Sequence, residues 1–277
     1  MTGKTNACGG GKSSGVYGFI HVTYPAGATC TCTKGSVTLT AADTSGSAVF
    51  KVPSSGTWTV TATYGTQSAE SQVTISTEGG SESTTLTFRV PAGYTEVNYI
   101  ASTANGGQYI DLGYTFGTIY DYSLTIKIKF MLLGTSDTAV IGSFNGVQQG
   151  WVTLPLAASD GTVSFIAAGA VVASSITANT IYEVEISQSG VRINGGSLQA
   201  WSTTPQYTDP LGLTLHLYGA NTQAGHAYNA SAIRIYSFEI PNTMEFVPCL
   251  NPNNVPGFYD TVRERFISSA SGTFSYG

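Results

Sequence analysis

Glu183 and Glu185 stand two residues apart in Ile181-Tyr182-Glu183-Val184-Glu185-Ile186. Two carboxylates on one face of a strand are the minimum equipment for hydrolysing a glycosidic bond, one as acid and one as base or nucleophile. The strand alternates Tyr182, Val184 and Ile186 against the two acids, so the acids point away from a core. They face either a concave binding surface or plain solvent. The three histidines, His21, His216 and His226, have no metal-ligand spacing. No Gly-x-Ser-x-Gly elbow occurs to present a serine nucleophile. Asp111, Asp121, Asp137, Asp160, Asp209 and Asp260 are spread too widely to form a calcium loop. The reading is therefore non-enzymatic, with no metal and no cofactor.

Sugar binding asks for something different: an exposed aromatic ring beside fixed polar groups on a loop. The segment from Tyr218 to Asn229 is polar, aromatic and rich in glycine, and the segment Phe144 to Trp151 is similar. Trp151, Tyr218, Asn221, His226 and Tyr228 are the candidate glycan-contacting residues. The same residues also suit turns and core edges, and Leu217-Tyr218-Gly219-Ala220-Asn221 reads equally well as a fold signature.

Four cysteines, at positions 8, 30, 32 and 249, give neither a disulfide framework nor a zinc pattern. Cys30 and Cys32 in one strand face the same side, which disfavours a bond between them. Free thiols are expected, with a link from Cys8 to Cys30 or Cys32 left open.

These residues need elements to hold them, and the chain offers strands. Leu124, Ile126, Ile128 and Phe130 alternate with Thr125, Lys127 and Lys129, the pattern of a strand with one buried and one solvated face. Similar runs recur from end to end, separated by turn pairs such as Lys34-Gly35, Asp160-Gly161 and Asn194-Gly195. No stretch keeps a helical period with caps. The fold class is all-β. Residues 1–14 read as a flexible arm, 15–88 as one sandwich, 89–93 as a stiff Pro/Gly linker and 94–277 as a second, larger domain.

Charged residues make up only 10% of the chain, against roughly 25% in ordinary soluble domains. Few charges suit a protein that packs into a large assembly, where each buried charge needs a partner. A net charge of −5 with scattered Lys and Arg excludes a nucleic-acid groove. No apolar stretch approaches the ~20 residues of a membrane helix, and the opening MTGKTNACGGGKSSG has no apolar signal core. Membrane insertion and nucleic-acid binding are not expected.

Two stretches resemble known modules. Ile233, Ile235 and Tyr236, then Pro248-Cys249 read as a turn, then Gly257-Phe258-Tyr259-Asp260 and a final Gly277 resemble the close of a concanavalin A-like (laminin G-like) jelly roll. Tyr94 to Ile100 and Gln108 to Gly113 resemble its opening. Tyr24-Pro25-Ala26-Gly27, Cys30-Thr31-Cys32 and Gly56-Thr57-Trp58-Thr59-Val60 are similar to a small Ig-like module. Both modules occur together in tail, fibre and baseplate proteins of phages and prophages. The resemblance implies an Ig-like β-sandwich followed by a laminin G-like jelly roll. It implies a virion structural or attachment protein, assembled in the host cytoplasm. The chain would form a homo-oligomer, with other virion proteins and host-surface glycan as partners. A secreted surface adhesin and a jelly-roll polysaccharide hydrolase or lyase are the alternatives.

Overall fold

The computed structural model describes residues 17–65, 67–115, 125–134, 139–144, 151–157, 162–167, 170–203, 213–222, 225–227 and 232–277. Among these residues every regular element is a strand. The chain divides into two compact units, Met1–Ala92 and Gly93–Gly277, and the division falls inside the stretch read as the linker. The expected arm lies outside the described residues.

The first unit holds β1 (Gly18–Thr23), β2 (Thr29–Lys34), β3 (Val37–Thr40), β4 (Ser47–Val52), β5 (Gly56–Tyr64), β6 (Gln67–Ile75) and β7 (Gly80–Thr85). They form two sheets, β4-β1-β7 and β3-β2-β5-β6. Period-two alternation decides what is buried. In β5, Trp58, Val60 and Ala62 are fully buried, while the threonines between them face outward. Cys30 and Cys32 lie on the inner face of β2 and join the same core as free thiols. The Trp58 indole can be buried because its Nε1 donates to the Ser54 carbonyl at 3.2 Å.

The second unit is also sandwich-like, with two sheets around one core. The first sheet is built from β10 (Ile110–Thr115), β12 (Ile141–Phe144), β13 (Trp151–Ala157), β14 (Thr162–Ala167), β15 (Ala170–Ser175) and β19 (Thr214–Leu217). Their order is β10-β19-β12-β13-β14-β15, and the short β20 (Ala220–Thr222) and β21 (Gly225–Ala227) attach through β12. The second sheet contains β11 (Ile126–Leu132), β16 (Ile181–Ser187), β17 (Gly190–Ile193), β18 (Gln199–Ala200), β22 (Ile233–Ile240), β23 (Met244–Leu250), β24 (Pro256–Asp260) and β25 (Arg265–Ile267). Three two-residue strands, β8 (Thr95–Glu96), β9 (Ile100–Ala101) and β26 (Ser275–Tyr276), complete it. Their order is β18-β17-β16-β11-β22-β23-β24-β25, with β8 on β23 and β9 on both β22 and β26. Phe130, Phe165, Phe238, Phe246, Phe258, Phe274, Tyr218 and Trp201 are the aromatic side chains buried in this core. Burying a side chain of phenylalanine's class contributes about 1.5–3 kcal/mol each.

Pro248 and Cys249 were expected in a turn. They lie inside β23, opposite Phe258 and Gly257 of β24. β23 pairs with β22 only through Phe246, Glu245 and Met244, and then with β8 through Cys249 and Leu250. Pro248 falls at the changeover between these two partners, where its missing N–H interrupts no ladder.

Candidate functional site

The first sheet of the second unit brings three chemistry-bearing residues together. In β19, Leu215 and Leu217 are fully buried in the core, so His216 projects from the opposite face of the sheet. In β10, Ile110 and Leu112 do the same, and Asp111 projects beside His216, with which it pairs in register. The row continues through Gly142, which has no side chain, to Val152. His216 is 5% exposed although it lies outside the core cluster. The Tyr109 ring stacks on the imidazole at 4.5 Å between centroids and 22° between planes. Asp111 Oδ2 lies 3.9 Å from His216 Nε2, and Asp111 Oδ1 accepts from the Gly113 amide at 2.8 Å.

Burial holds the His216 pKa below its usual value, and the Asp111 carboxylate works against that shift. The ring is therefore neutral at neutral pH, with one N–H donor and one acceptor nitrogen. His216 is therefore a buried support, and the exposed Asp111 carboxylate is the group of this cluster that can meet a sugar hydroxyl. The signal for this cluster is a histidine inside the apolar run Leu215-His216-Leu217, and the sequence reading passed over it.

The expected glycan residues are placed as follows. Asn221 and His226 face each other across the β20–β21 pair, and Asn221 also pairs with Ser143 of β12. The Asn221 Nδ2 donates to both the carbonyl and the hydroxyl of Thr214, at 3.0 Å each. Both amide hydrogens thus tie β20 to the start of β19. Trp151 opens β13 and pairs with Ala167. The side chains of Trp151 and His226, and all of Tyr228, lie outside the described residues. Tyr218 is a correction. It was expected as an exposed platform, but it is 1% exposed, with its ring 4.7 Å from Phe274 and its hydroxyl donating to the Ile100 carbonyl at 2.6 Å. It is a core residue and presents nothing to a ligand.

Glu183 and Glu185 project from the outer face of the other sheet, and each meets a cation. Lys129 Nζ lies 2.7 Å from Glu183, and Arg192 Nε lies 3.8 Å from Glu185. Asp260 is fully buried and caps the end of β24. Its Oδ1 accepts from the amides of Glu245, Val262 and Arg263 at 3.2–3.3 Å. Among the described residues no group of three or more His, Cys, Asp or Glu could hold a metal ion. Burial pushes the thiols of Cys30 and Cys32 up to about 11 and that of Cys249 to about 12, far from the nucleophilic thiolate form.

No family model matches the chain, and no curated protein matches it. Solved structures match at low similarity. A DUF3823 family protein from Parabacteroides merdae shares 10% identity at a TM-score of 0.21, covering 69% of this chain and 96% of that one. A protein provisionally named a pore-forming toxin, from Bacteroides vulgatus, shares 10% identity at a TM-score of 0.17, covering 81% and 92%. TM-scores this low define no shared fold, so function rests on the residues themselves.

Proposed function

We propose that this chain is a non-enzymatic structural or attachment protein of a phage or phage-derived particle. In this reading the first unit is an Ig-like sandwich that docks to the particle. The second is a laminin G-like jelly roll that meets host-surface glycan or a neighbouring virion protein. One observation carries the jelly-roll half: the opening and closing strands of the second unit are neighbours. β8 pairs with β23, and β9 pairs with both β22 and β26. The amides of Asn98 and Tyr99 both donate to the Gly277 carbonyl, at 2.7 and 3.1 Å. The sequence phrases that resemble the two ends of the family domain therefore meet on one sheet. The outward, ion-paired Glu183 and Glu185 favour a binding role over hydrolysis.

Glycan contact is assigned to the outer face of the first sheet, at the exposed Asp111 carboxylate and the half-buried Tyr109 ring, with the buried His216 behind them. Single sites of this kind bind on the order of millimolar, and display of many copies raises avidity by ~10² or more.

The test is mass spectrometry and immunogold labelling of particles purified from a culture that makes the protein. The chain should co-purify with particles at fixed stoichiometry. Its recovery in the cell-surface fraction alone would replace this reading with the adhesin. Depolymerisation of a polysaccharide that is lost on Glu185→Gln would replace it with the hydrolase.

A further inference from the structure

The outer face of the second unit's larger sheet is laid out in rows, and one row is electrically incomplete. In one row, Lys127 is in register with both Glu239 and Glu185, and Glu185 is in register with Arg192. Lys127 Nζ lies 3.2 Å from Glu239. In the next, Lys129 is in register with Ser237 and Glu183, and binds Glu183. The third row runs Ser275, Ala101, Arg234, Met131 and Ile181 across five strands. It contains a cation and no acid.

Arg234 enters no ion pair among the described residues. Its guanidinium lies over the Tyr99 ring, 4.5 Å from the centroid, and Nη1 approaches Met131 Sδ at 3.9 Å. Its Nε is buried without a hydrogen-bond partner. Tyr99 meets Tyr236 edge-on at 5.5 Å. Tyr236 is the extra residue of a β-bulge, since Ile235 pairs with Phe130 and Ser237 with Lys129. A bulge re-aims a side chain, and this one brings Tyr236 to the Tyr99 ring. Ile181, 41% exposed, ends the row.

We propose that this row is a binding site for a carboxylate-bearing sugar. The guanidinium is packed between a ring and a sulfur, so little side-chain freedom remains to be lost when its terminal nitrogens meet a carboxylate. The Tyr236 ring and the Ile181 side chain cover the apolar face of the sugar. Every other described cation on this face already has a carboxylate, which directs an incoming anion to Arg234. The choice of a sugar rests on the attachment reading; the choice of an anion rests on Arg234 alone.

The test titrates the full-length chain with sodium glucuronate, glucose and glucose 6-sulfate, followed by NMR shifts of the Tyr and Arg side chains. Glucuronate should bind roughly tenfold more tightly than glucose, and more weakly as salt is raised. Arg234→Gln should abolish that preference. Arg234→Met, which keeps the packing on Tyr99 and Met131, should do the same with the fold intact. Equal binding of glucuronate and glucose, or a preference that survives Arg234→Met, overturns the proposal. Preference for the sulfate ester over glucuronate overturns the carboxylate assignment. Glucuronate binding by a chain absent from particles counts against the attachment reading alone. Its failure in a chain that co-purifies with particles counts against this site alone.

Discussion

At the scale of single residues, Tyr218 and His216 exchange the roles that their neighbourhoods suggest. Strict alternation through Leu215, His216 and Leu217 would send Tyr218 outward beside His216. Tyr218 instead has φ 62°, in the left-handed region, and leaves the strand pattern there. The turn carries the ring into the core, against Phe274 and Phe258. Nothing local in the sequence announces a left-handed tyrosine, so the glycine-rich segment reads as a platform. Its hydroxyl bond to the Ile100 carbonyl is fully buried. Tyr218→Phe is therefore expected to cost about 1–3 kcal/mol, read as a lower denaturant midpoint, with glycan binding unchanged. For His216 the linkage runs the other way from a partnered histidine. Its folded pKa lies below the ordinary histidine value of 6.5. Its stabilising contribution is complete above that value and is lost as pH falls through 6.5 towards the folded pKa, because the unfolded chain takes up the proton first. Urea midpoints at about pH 7.5 and about pH 5 should show a smaller acid loss in His216→Gln than in the parent. An equal loss in both would place the acid sensitivity elsewhere.

At the scale of elements, legibility follows the range of the interactions that make each strand. β16 runs Ile181–Ser187, and in it Val184 and Ile186 are buried while Glu183 and Glu185 point outward, as their alternation in the sequence requires. The hairpin after β17 was legible too: Asn194 and Gly195 have φ 51° and 67°, the two left-handed positions that such a turn demands. The two-residue strands β8, β9 and β26 were not legible as separate elements. Tyr276 meets Ile100 across most of the domain's sequence, and two residues carry no period. The Asp111–His216 pair is hidden for the same reason, since it exists only through register between distant strands. Gly190 marks a further constraint invisible to patterning. It has φ 146°, and a Cβ there would sit 2.1 Å from the Gln199 carbonyl oxygen, which belongs to the paired strand β18. Neither backbone can yield without breaking that pairing. Gly190→Ala should destabilise the domain by about 2 kcal/mol or more, whereas Gly195→Asn, at a position where asparagine tolerates the turn, should cost well under half of that. Thermal melts of the two variants side by side make the comparison, and equal losses would show that β18 moves freely.

At the scale of the molecule, scarcity of charge leaves stability to apolar burial, and that burial is divided between two cores. One is gathered around Trp58, Ile20, Phe50 and Val60, the other around Phe130, Phe238, Phe246 and Phe258. Among the described residues none belongs to both. Each core is closed by its own strand set: β1 pairs in parallel with β7, the last strand of the first unit, and β9 pairs with β26, the last of the second. A unit whose opening and closing strands pair within its own sheets needs no strand from its neighbour to complete them. Each also contains a buried indole with its own hydrogen bond, Trp58 to Ser54 and Trp201 to the Ser187 carbonyl at 2.9 Å, so tryptophan fluorescence reports on each separately. Fragments ending at Ala92 and beginning at Gly93 should therefore each unfold cooperatively in urea. Because the denaturant slope follows the surface exposed, that of the larger fragment should be about twice that of the smaller. The full chain should then show two fluorescence transitions whose slopes match those of the fragments. A fragment 93–277 that lacks a cooperative transition would mean that the second core depends on residues before Gly93, and the division into two units would have to be redrawn.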